Sequence, residues 1–391
     1  MMLHNHVTSS LSELDLLMIK HVPEGGNWQA IPSGLSKRVD QIRERSLTRG
    51  LIHTTYYGRL RWDAPSYTIS TFFSRSGNGC FIHPSQDRLI SAREAARLQS
   101  FPDCFAFSGT NRAVAAQIGN AVPPILGAIV GNVLPGEAVV DLFAGAGGLS
   151  YGLEMAGKKV TYAAELDRHA VETFRINHPH AIVKALDLST SEALDQLESD
   201  VRELGGCELL VGGPPCQSFS TAGRRVADLR STLVNSFVAA VAILRPPTVV
   251  MENVLGLRSF RNGSVLKGIL RDLTKLGYHV DVWDITTDRY AIPQRRRRLL
   301  VVGSLKGVLC QPPAITPTYK NGAEAPVSVR DAISDLPPLE ADDGTTPAEV
   351  DLPEARGPYQ QYVRGDLAPD EYLASMALEW APASPNQIAV G

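Results

Sequence analysis

The sequence predicts an α/β fold, with a mostly parallel sheet that carries helices on both faces, and a second, smaller and irregular domain. Between residues 138 and 303, short apolar runs alternate with amphipathic stretches. A chain that alternates strands and helices in this way builds a parallel sheet, because each helix returns the chain to the end of the sheet where the next strand starts. The flanks lack this pattern: residues 311–391 are rich in proline and acidic side chains, and residues 1–85 are irregular.

Seven apolar runs of strand length predict the sheet, and they lie at 138–143, 160–165, 182–186, 209–211, 248–252, 280–285 and 299–303. The amphipathic stretches at 191–204, 231–244 and 264–276 are predicted to be helices between these strands. Outside the sheet region, helical patterns occur at 91–99, at 117–133 with a break at Pro123 and Pro124, and near 327–334.

Composition excludes several classes of protein. The five cysteines are scattered at positions 80, 104, 207, 216 and 310, without a disulfide framework or metal-ligand spacing, so we expect a reducing cytoplasm and no metal. The first 20 residues do not resemble a signal peptide, and no apolar run has the length of a membrane span. A net charge of −3 argues against a globally basic nucleic-acid binder, but local arginine clusters still allow phosphate contacts.

A glycine-rich turn, Phe-Ala-Gly-Ala-Gly-Gly at 143–148, follows the first predicted strand and opens a helix. Backbone amides at such a turn hold a nucleotide-like cofactor. The third glycine position of the dinucleotide fingerprint holds Ser150, which suits a cofactor without a pyrophosphate. Glu165 ends the next strand, where a carboxylate accepts hydrogen bonds from ribose hydroxyls, and Asp187 ends the third, where it could hold an adenine amino group. A tight structural turn is the alternative.

Cys216 lies in the segment Pro-Pro-Cys-Gln at 214–217, directly after the buried strand 209–211. Ligands of open α/β sheets bind outside the carboxyl ends of the strands, and the two prolines restrict the backbone there. The thiol is therefore expected to be presented to a ligand. The alternative is a small hydrophobic residue that ends a strand.

Glu252 ends the fifth predicted strand, so its carboxylate is expected to face the same crevice as Cys216. A thiol beside a carboxyl group suits addition to an electron-poor ring whose nitrogen is protonated during attack. The alternative is a helix N-cap formed by Glu252 or Asn253.

Four arginines at 295–298 run directly into the last strand. Strand alternation sends Arg296 and Arg298 to one side, and Arg295 and Arg297 to the other. One pair is expected to reach the crevice, where it would lower the pKa of the thiol and bind a phosphate or a base. The alternative is a charged strand edge.

Together these segments resemble the motifs of the DNA (cytosine-5)-methyltransferase family. Six of its motifs are present, at 89–99, 117–124, 143–148, 214–217, 252–254 and 294–298. The resemblance implies an S-adenosylmethionine-dependent methyltransferase fold. It also implies transfer of a methyl group to C5 of a cytosine within a specific double-stranded DNA sequence, with S-adenosylhomocysteine as the product, as in the bacterial methylases of restriction-modification systems.

The resemblance also implies roles for individual residues. Cys216 would add to C6 of the flipped-out cytosine, Glu252 would hydrogen-bond N3, and Arg296, with Arg298, would hold the base and stabilise the thiolate. The residues expected to line the cofactor site are Phe143, Gly145, Gly147, Glu165, Asp187, Pro215 and Asn120. The candidates for contacts with DNA are Gln217, Ser220, Gln294, Arg224 and Arg225.

The motifs stand in a rotated order, because the two that usually close the chain of this family precede the glycine-rich turn. The sequence therefore predicts a circular permutation, with a catalytic domain at 115–340 and a target-recognition domain formed by 341–391 together with 1–114. Residues after about Asp370 are then expected to lie near residues 1–10.

Two other functions stay open at this stage. A relative of the same fold that methylates cytosine in transfer RNA also carries a Pro-Pro-Cys-Gln segment, and a non-catalytic DNA-binding regulator could keep the same fold. The sequence favours a monomeric DNA methyltransferase of the bacterial cytoplasm, with double-stranded DNA as its partner and no association with a membrane.

Overall fold

The computed structural model describes residues 2–49, 54–215, 229–307, 309, 326–344 and 346–376. The chain forms two compact units. Within the described residues, the central unit comprises Val122–Tyr290 and Arg296–Ala314, and the terminal unit comprises Met1–Ala121, Ala291–Arg295 and Ile315–Leu378.

The central unit is built on one seven-stranded sheet. Its strands are β1 (Ala138–Leu142), β2 (Lys159–Glu165), β3 (Ile182–Ala185), β4 (Leu209–Gly212), β5 (Thr248–Val254), β6 (His279–Thr286) and β7 (Arg297–Ser304). Their order across the sheet is β6-β7-β5-β4-β1-β2-β3. Strand β7 runs antiparallel to both of its neighbours, and the other strand pairs are parallel. The predicted α/β class and all seven predicted strands are confirmed.

Helices connect these strands and cover the apolar sheet. They are α1 (Pro124–Val133), α2 (Gly148–Met155), α3 (Arg168–Asn177), α4 (Ser191–Glu203), α5 (Leu229–Leu244) and α6 (Ser264–Lys275). Val140 of β1, Leu210 of β4 and Met251 of β5 belong to one buried cluster with Leu197 of α4 and Phe237 of α5. Because β1, β4 and β5 are adjacent and parallel, their carboxyl ends lie side by side at one end of the sheet.

Helices α1 and α2 cross at two glycines. A Cβ atom added to Gly152 would lie 2.1 Å from the carbonyl oxygen of Pro124 and 2.7 Å from Cα of Gly127. Both neighbours are backbone atoms, which cannot rotate away. Gly127 and Gly152 therefore set how closely α1 packs against the helix that follows the glycine-rich turn.

The terminal unit contains short helices and two-stranded pairs. Its α-helices are Glu13–Lys20, Lys37–Arg49, Ala92–Leu98, Asn111–Asn120, Val329–Ile333, Pro358–Arg364 and Pro369–Met376. Its strand pairs are Met2–Leu3 with Ala348–Glu349, Gly58–Arg59 with Cys80–Ile82, and Ser66–Tyr67 with Gln294–Arg295. The helical pattern predicted at 117–133, with its break at Pro123 and Pro124, is two helices as predicted. The first begins six residues earlier, after the N-cap Thr110, because its exposed first turn carries no apolar pattern.

Buried ion pairs fix the helix Ala92–Leu98 in this unit. Arg97 pairs with Asp103 and with Asp335, both at 2.6 Å, and Arg364 also binds Asp335. The capping box of Ser91 and Glu94 begins the helix. Buried charges of this kind need a partner in a fixed geometry, so the network ties residues 91–103 to 335–364.

The N-terminal segment docks on residues 337–349. Besides the Met2–Leu3 pairing, Asn5 donates its backbone N–H to Oγ1 of Thr346, and Thr8 donates its hydroxyl to the carbonyl oxygen of Glu340. The helix Pro369–Met376 belongs to the same unit as residues 2–10. The predicted proximity of the residues after about Asp370 to residues 1–10 and the permutation itself stay predictions.

The bounds of the two units differ from the predicted domain bounds. Residues 115–121 belong to the terminal unit because they complete the helix Asn111–Asn120, and residues 326–340 belong there because Asp335 binds Arg97 and Arg364. The assignment of the units to cofactor binding and to target recognition stays a prediction.

One stretch of the described chain, Asn111–Val133, has the length and apolar composition of a membrane span. Most of its apolar window is buried within the protein, and it consists of two helices separated at Pro123. Core helices meet the same criteria, so this stretch is weak evidence for a membrane span.

The crossing of α1 and α2 makes a specific prediction. We expect Gly152→Ala to lower the free energy of unfolding by about 1–3 kcal/mol, because the new methyl group overlaps backbone atoms of α1. Gly268→Ala in α6 is the matched control, since a Cβ there meets no atom within 4 Å. Alanine should raise stability there by up to about 1 kcal/mol. Urea unfolding of both variants checks this, and equal effects would contradict the close crossing.

Candidate active site

The glycine-rich turn leads from β1 into α2 through left-handed backbone conformations. Phe143 and Gly145 have φ of 57°, and Gly147 has φ of 90° and is the N-cap of α2. A side chain at Gly145 would meet no atom within 4 Å, so the turn faces open space there. Left-handed Phe143 is uncommon for a bulky residue, and such strain is concentrated at ligand-binding sites.

Glu165 is fixed at the end of β2 by backbone amides. Its Oε2 accepts a hydrogen bond from the Gly145 N–H at 2.8 Å, and its Oε1 accepts from Leu166 N–H at 2.7 Å and Asp167 N–H at 2.8 Å. The carboxylate is therefore oriented before any ligand arrives. The structure thus brings together two predicted cofactor residues, Glu165 and Gly145.

Asp187 and Asn120 are the two predicted cofactor residues that lie exposed at the ends of their elements. Asp187 is exposed just beyond β3, and Ser189 donates its hydroxyl to Oδ1 at 2.7 Å, which lowers the pKa of the Asp187 carboxyl. Asn120 is the exposed last residue of the helix Asn111–Asn120 in the terminal unit. Their predicted cofactor contacts stay predictions.

Asp141 lies beneath the glycine-rich turn and was not singled out as a functional residue in the sequence. Ser150, in the first turn of α2, donates its hydroxyl to Asp141 Oδ2 at 2.6 Å. Burial, with a smaller contribution from the charge of Glu165, raises the pKa of Asp141 to about 7. This bond ties β1 to α2 on either side of the turn. An acidic residue inside an apolar strand was the signal that could have revealed it.

Asn253 holds the segment that leads to Cys216. Its Nδ2 donates to the carbonyl oxygen of Pro214 at 3.4 Å, and its Oδ1 accepts from the backbone N–H of Val254. It lies in β5 and is 1% exposed. The N-cap alternative is wrong, because the short helix after β5 is capped at Val254 without a side-chain hydrogen bond.

Glu252 forms an ion pair with Arg298 at the carboxyl end of β5. Nε of Arg298 lies 2.6 Å from Oε1 of Glu252, and both side chains are almost buried. The other carboxylate oxygen, Oε2, lies 3.4 Å from where a Cβ of Gly213 would stand. Because β4 and β5 are parallel neighbours, Glu252 faces the backbone just before the Pro-Pro segment.

Arg296 is on the same side of the chain as Arg298, as alternation predicts: both are shielded from solvent, whereas Arg295 and Arg297 are exposed. Its backbone forms two hydrogen bonds with Thr287, N–H to Oγ1 at 3.0 Å and carbonyl oxygen to the Thr287 N–H at 2.9 Å. Burial, with the positive charge of Arg298, lowers the pKa of the Arg296 guanidinium well below its usual range. The alternative of a charged strand edge is wrong for Arg298, because β7 is an interior strand.

Gln294 is buried in the terminal unit, which corrects its predicted contact with DNA. Its Oε1 accepts from the Ile69 N–H at 2.8 Å, and its Nε2 donates to Gln99 Oε1 at 3.0 Å. With 0% exposure, this amide is not available to a nucleic acid in the structure. Gln294 instead holds the segment that precedes the arginines.

Several predicted site residues lie outside the described residues. They are Cys216, Gln217, Ser220, Arg224 and Arg225. Pro215, the last described residue before them, is exposed. Among the described residues, no group of three histidine, cysteine, aspartate or glutamate side chains could hold a metal ion.

The order of the seven strands, the antiparallel β7 and the glycine-rich turn define the fold of S-adenosylmethionine-dependent methyltransferases. The chain matches the profile of the C-5 cytosine-specific DNA methylase family over residues 5–135 and 138–349. The chain belongs to this family.

Curated relatives include type II methyltransferases of bacteria. The chain is 34% identical over 248 residues to M.AgeI of Thalassovita gelatinovora, covering 58% of this chain and 57% of that protein. It is 37% identical over 232 residues to M.DdeI of Desulfomicrobium norvegicum, covering 58% and 54%. The chain therefore spans about half the length of these two relatives. M.AquIA of Picosynechococcus is 32% identical over 226 residues, covering 52% of this chain and 90% of that protein.

One solved structure with similarity to this chain is that of a DNA modification methyltransferase encoded within an Escherichia coli prophage. The two are 27% identical with a TM-score of 0.48, covering 58% of this chain and 64% of that one.

The raised pKa of Asp141 makes a prediction about pH. Because the folded state holds this proton more tightly than the unfolded state, its contribution to stability is present below the usual pKa of 3.8 and lost as the pH rises through about 7. We expect the free energy of unfolding of Asp141→Asn to fall less with rising pH than that of the wild type, by up to about 4 kcal/mol, because asparagine does not ionise. The amide oxygen of asparagine still accepts the hydrogen bond from Ser150. Urea unfolding between pH 4 and 8 measures it, with exposed Asp195→Asn as control. Parallel pH curves for Asp141→Asn and wild type would contradict the assignment.

Proposed function

We propose that this protein methylates C5 of cytosine within a specific double-stranded DNA sequence, using S-adenosylmethionine as the methyl donor. The observation that carries the proposal is the ion pair of Glu252 and Arg298 beside Gly213, at the edge where β4 leads toward Cys216. The family supports the reaction class, and the curated type II relatives support a role as the methylase of a restriction-modification system.

The proposed nucleophile is Cys216. It follows Pro215 directly in the sequence. The carbonyl oxygen of Pro214, two residues before Cys216, accepts a hydrogen bond from the side chain of Asn253. The guanidinium of Arg298, which pairs with Glu252 at this edge, is the proposed cation that favours a thiolate over a thiol. Two of the three cysteines that the structure describes do not suit this role, because burial raises the pKa of Cys80 and of Cys207 to about 12.

The proposed chemistry makes cytosine C5 nucleophilic. The thiolate of Cys216 forms a bond to C6 while the Glu252 carboxyl group hydrogen-bonds or protonates N3, and the displaced electron pair develops at C5. Loss of the C5 proton and expulsion of the thiolate later restore the aromatic ring. Arg298 orients Glu252 through the 2.6 Å ion pair, and Arg296, which lies near both side chains, is proposed to hold the base and help stabilise the thiolate. The base must leave the duplex, at a cost of a few kcal/mol.

The cofactor would be held by the glycine-rich turn and the strand ends beside it. The open space in front of Gly145 and the preoriented carboxylate of Glu165 fit a nucleoside with free ribose hydroxyls. Phe143, Gly147, Asp187, Pro215 and Asn120 complete the proposed set. S-adenosylmethionine, when bound, supplies an electrophilic methyl group. The proposal includes no metal.

Double-stranded DNA is the proposed partner, with Gln217, Ser220, Arg224 and Arg225 as candidate contacts. The terminal unit is the proposed target-recognition domain. The permuted order is part of the proposal, and the position of the motifs at 89–99 and 117–124 before the glycine-rich turn supports it. We further propose a monomer in the bacterial cytoplasm. The alternatives are methylation of transfer RNA and non-catalytic DNA binding.

Transfer of labelled methyl groups tests the proposal. We expect the wild type to label duplex DNA and not transfer RNA, Cys216→Ala to abolish labelling, and Glu252→Gln to lower kcat by about 10²–10⁴, since the proton on N3 is then poorly supplied. Cys104→Ala, a change at an exposed cysteine, and Glu203→Gln at the end of α4 are matched controls and should stay active.

Each alternative has its own outcome in this experiment. Labelling of transfer RNA alone would replace the DNA substrate, and no labelling by any variant despite DNA binding would favour a regulator. Equal labelling by Cys216→Ala and wild type would overturn the thiolate mechanism. Bisulfite sequencing of DNA from cells that express the protein then identifies the methylated site.

A further inference from the structure

We infer that His178 is a positioning residue for the glycine-rich turn, anchored from behind by Glu154. This inference rests on the proposed function, because it takes the turn at 143–148 to be the cofactor site. His178 follows the last residue of α3, and its side chain is completely buried.

The imidazole ring is held in one orientation by its neighbours. Phe174, one helical turn earlier, packs on the ring with a centroid distance of 4.2 Å and an interplanar angle of 31°. Tyr151 of α2 approaches it edge-on at 6.0 Å. The ring is thus wedged between α2 and α3.

Glu154 fixes the rotation of the ring. Nδ1 of His178 lies 2.8 Å from Oε2 of Glu154, and because a carboxylate only accepts, Nδ1 carries the proton and donates it. The other oxygen, Oε1, lies 2.8 Å from Nε2 of His180, whose side chain is half exposed. Glu154 therefore holds two histidines, of which only His178 reaches the turn.

The opposite edge of the ring lies against Gly147. A Cβ added to Gly147 would stand 2.5 Å from Nε2 of His178 and 2.9 Å from Cδ2 of Phe174. Gly147 is the N-cap of α2 and has a left-handed φ of 90°. His178 therefore leaves no room for a side chain at Gly147, and Glu165 binds the N–H of Gly145 two residues earlier.

A positioning role and a merely structural role of His178 predict different changes in cofactor binding, kcat and thermal stability. Loss of the ring should loosen the turn that contacts the cofactor, and so weaken cofactor binding, while the chemistry at Cys216 and Glu252 stays intact once the cofactor is saturating. A general loss of structure would instead lower kcat and thermal stability together.

Calorimetric titration with S-adenosylhomocysteine, together with kcat at saturating S-adenosylmethionine and duplex DNA, tests the inference. We expect His178→Ala and Glu154→Ala each to raise the Kd about tenfold, equivalent to about 1.4 kcal/mol, with kcat changed less than about twofold. The Kd of the double variant should be no higher than that of either single variant, because both changes remove the same oriented ring from the turn. His180→Ala is the matched control and should bind like the wild type.

The outcomes separate this inference from the proposed function. If the wild type does not bind S-adenosylhomocysteine, the proposed function fails. If it binds and His178→Ala binds equally well, or if His180→Ala weakens binding as much as His178→Ala, the positioning role is overturned. Should His178→Ala not fold, His178→Gln keeps an N–H donor for Glu154 but lacks the flat ring against Gly147. It should show the same rise in Kd, and wild-type affinity would overturn the inference.

Discussion

The candidate active site depends on how strand β7 is inserted into the sheet. Because β7 lies between β6 and β5 and runs antiparallel to both, Arg298 pairs in register with Val254 and brings its guanidinium to Glu252. The same edge carries the end of β4, so the carboxylate also faces the backbone of Gly213. A shift of β7 by one residue would send Arg297 to Glu252 and Arg298 to the opposite face. The register of one interior strand therefore determines the charge beside the proposed nucleophile.

Polar side chains that do not face solvent support this edge and the cofactor turn. Asn253 binds the carbonyl oxygen of Pro214, Thr287 binds the backbone of Arg296, and Ser150 binds Asp141 beneath the turn. A buried polar group without a partner would be costly, so these bonds fix the loops at the strand ends. These surrounding contacts keep Phe143 in its strained, left-handed backbone conformation. The strands supply the framework, and the polar contacts set the positions of the loops.

The sequence predicts the strands well because each is a continuous apolar run, and interior parallel strands need no alternation to be recognised. Alternation also predicts which arginines share a side, but not that Arg298 contacts Glu252, since that depends on the strand register. Gln294 was assigned to DNA because spacing along the chain carries no information on burial. In the structure it binds Ile69 and Gln99, which are far away in the sequence. The helix Asn111–Asn120 begins earlier than predicted because its first turn is exposed and polar.

The central claim is that Cys216 attacks cytosine beside Glu252 and Arg298, and a covalent trap tests it most directly. In duplex DNA that carries 5-fluorocytosine, the fluorine at C5 cannot leave as a proton, so the adduct formed by the thiolate persists after methyl transfer. The account predicts a protein–DNA complex that survives denaturation, with the DNA linked to the peptide that contains Cys216. Linkage through Cys104 or another residue, or no covalent complex under conditions where normal DNA is methylated, would contradict the account.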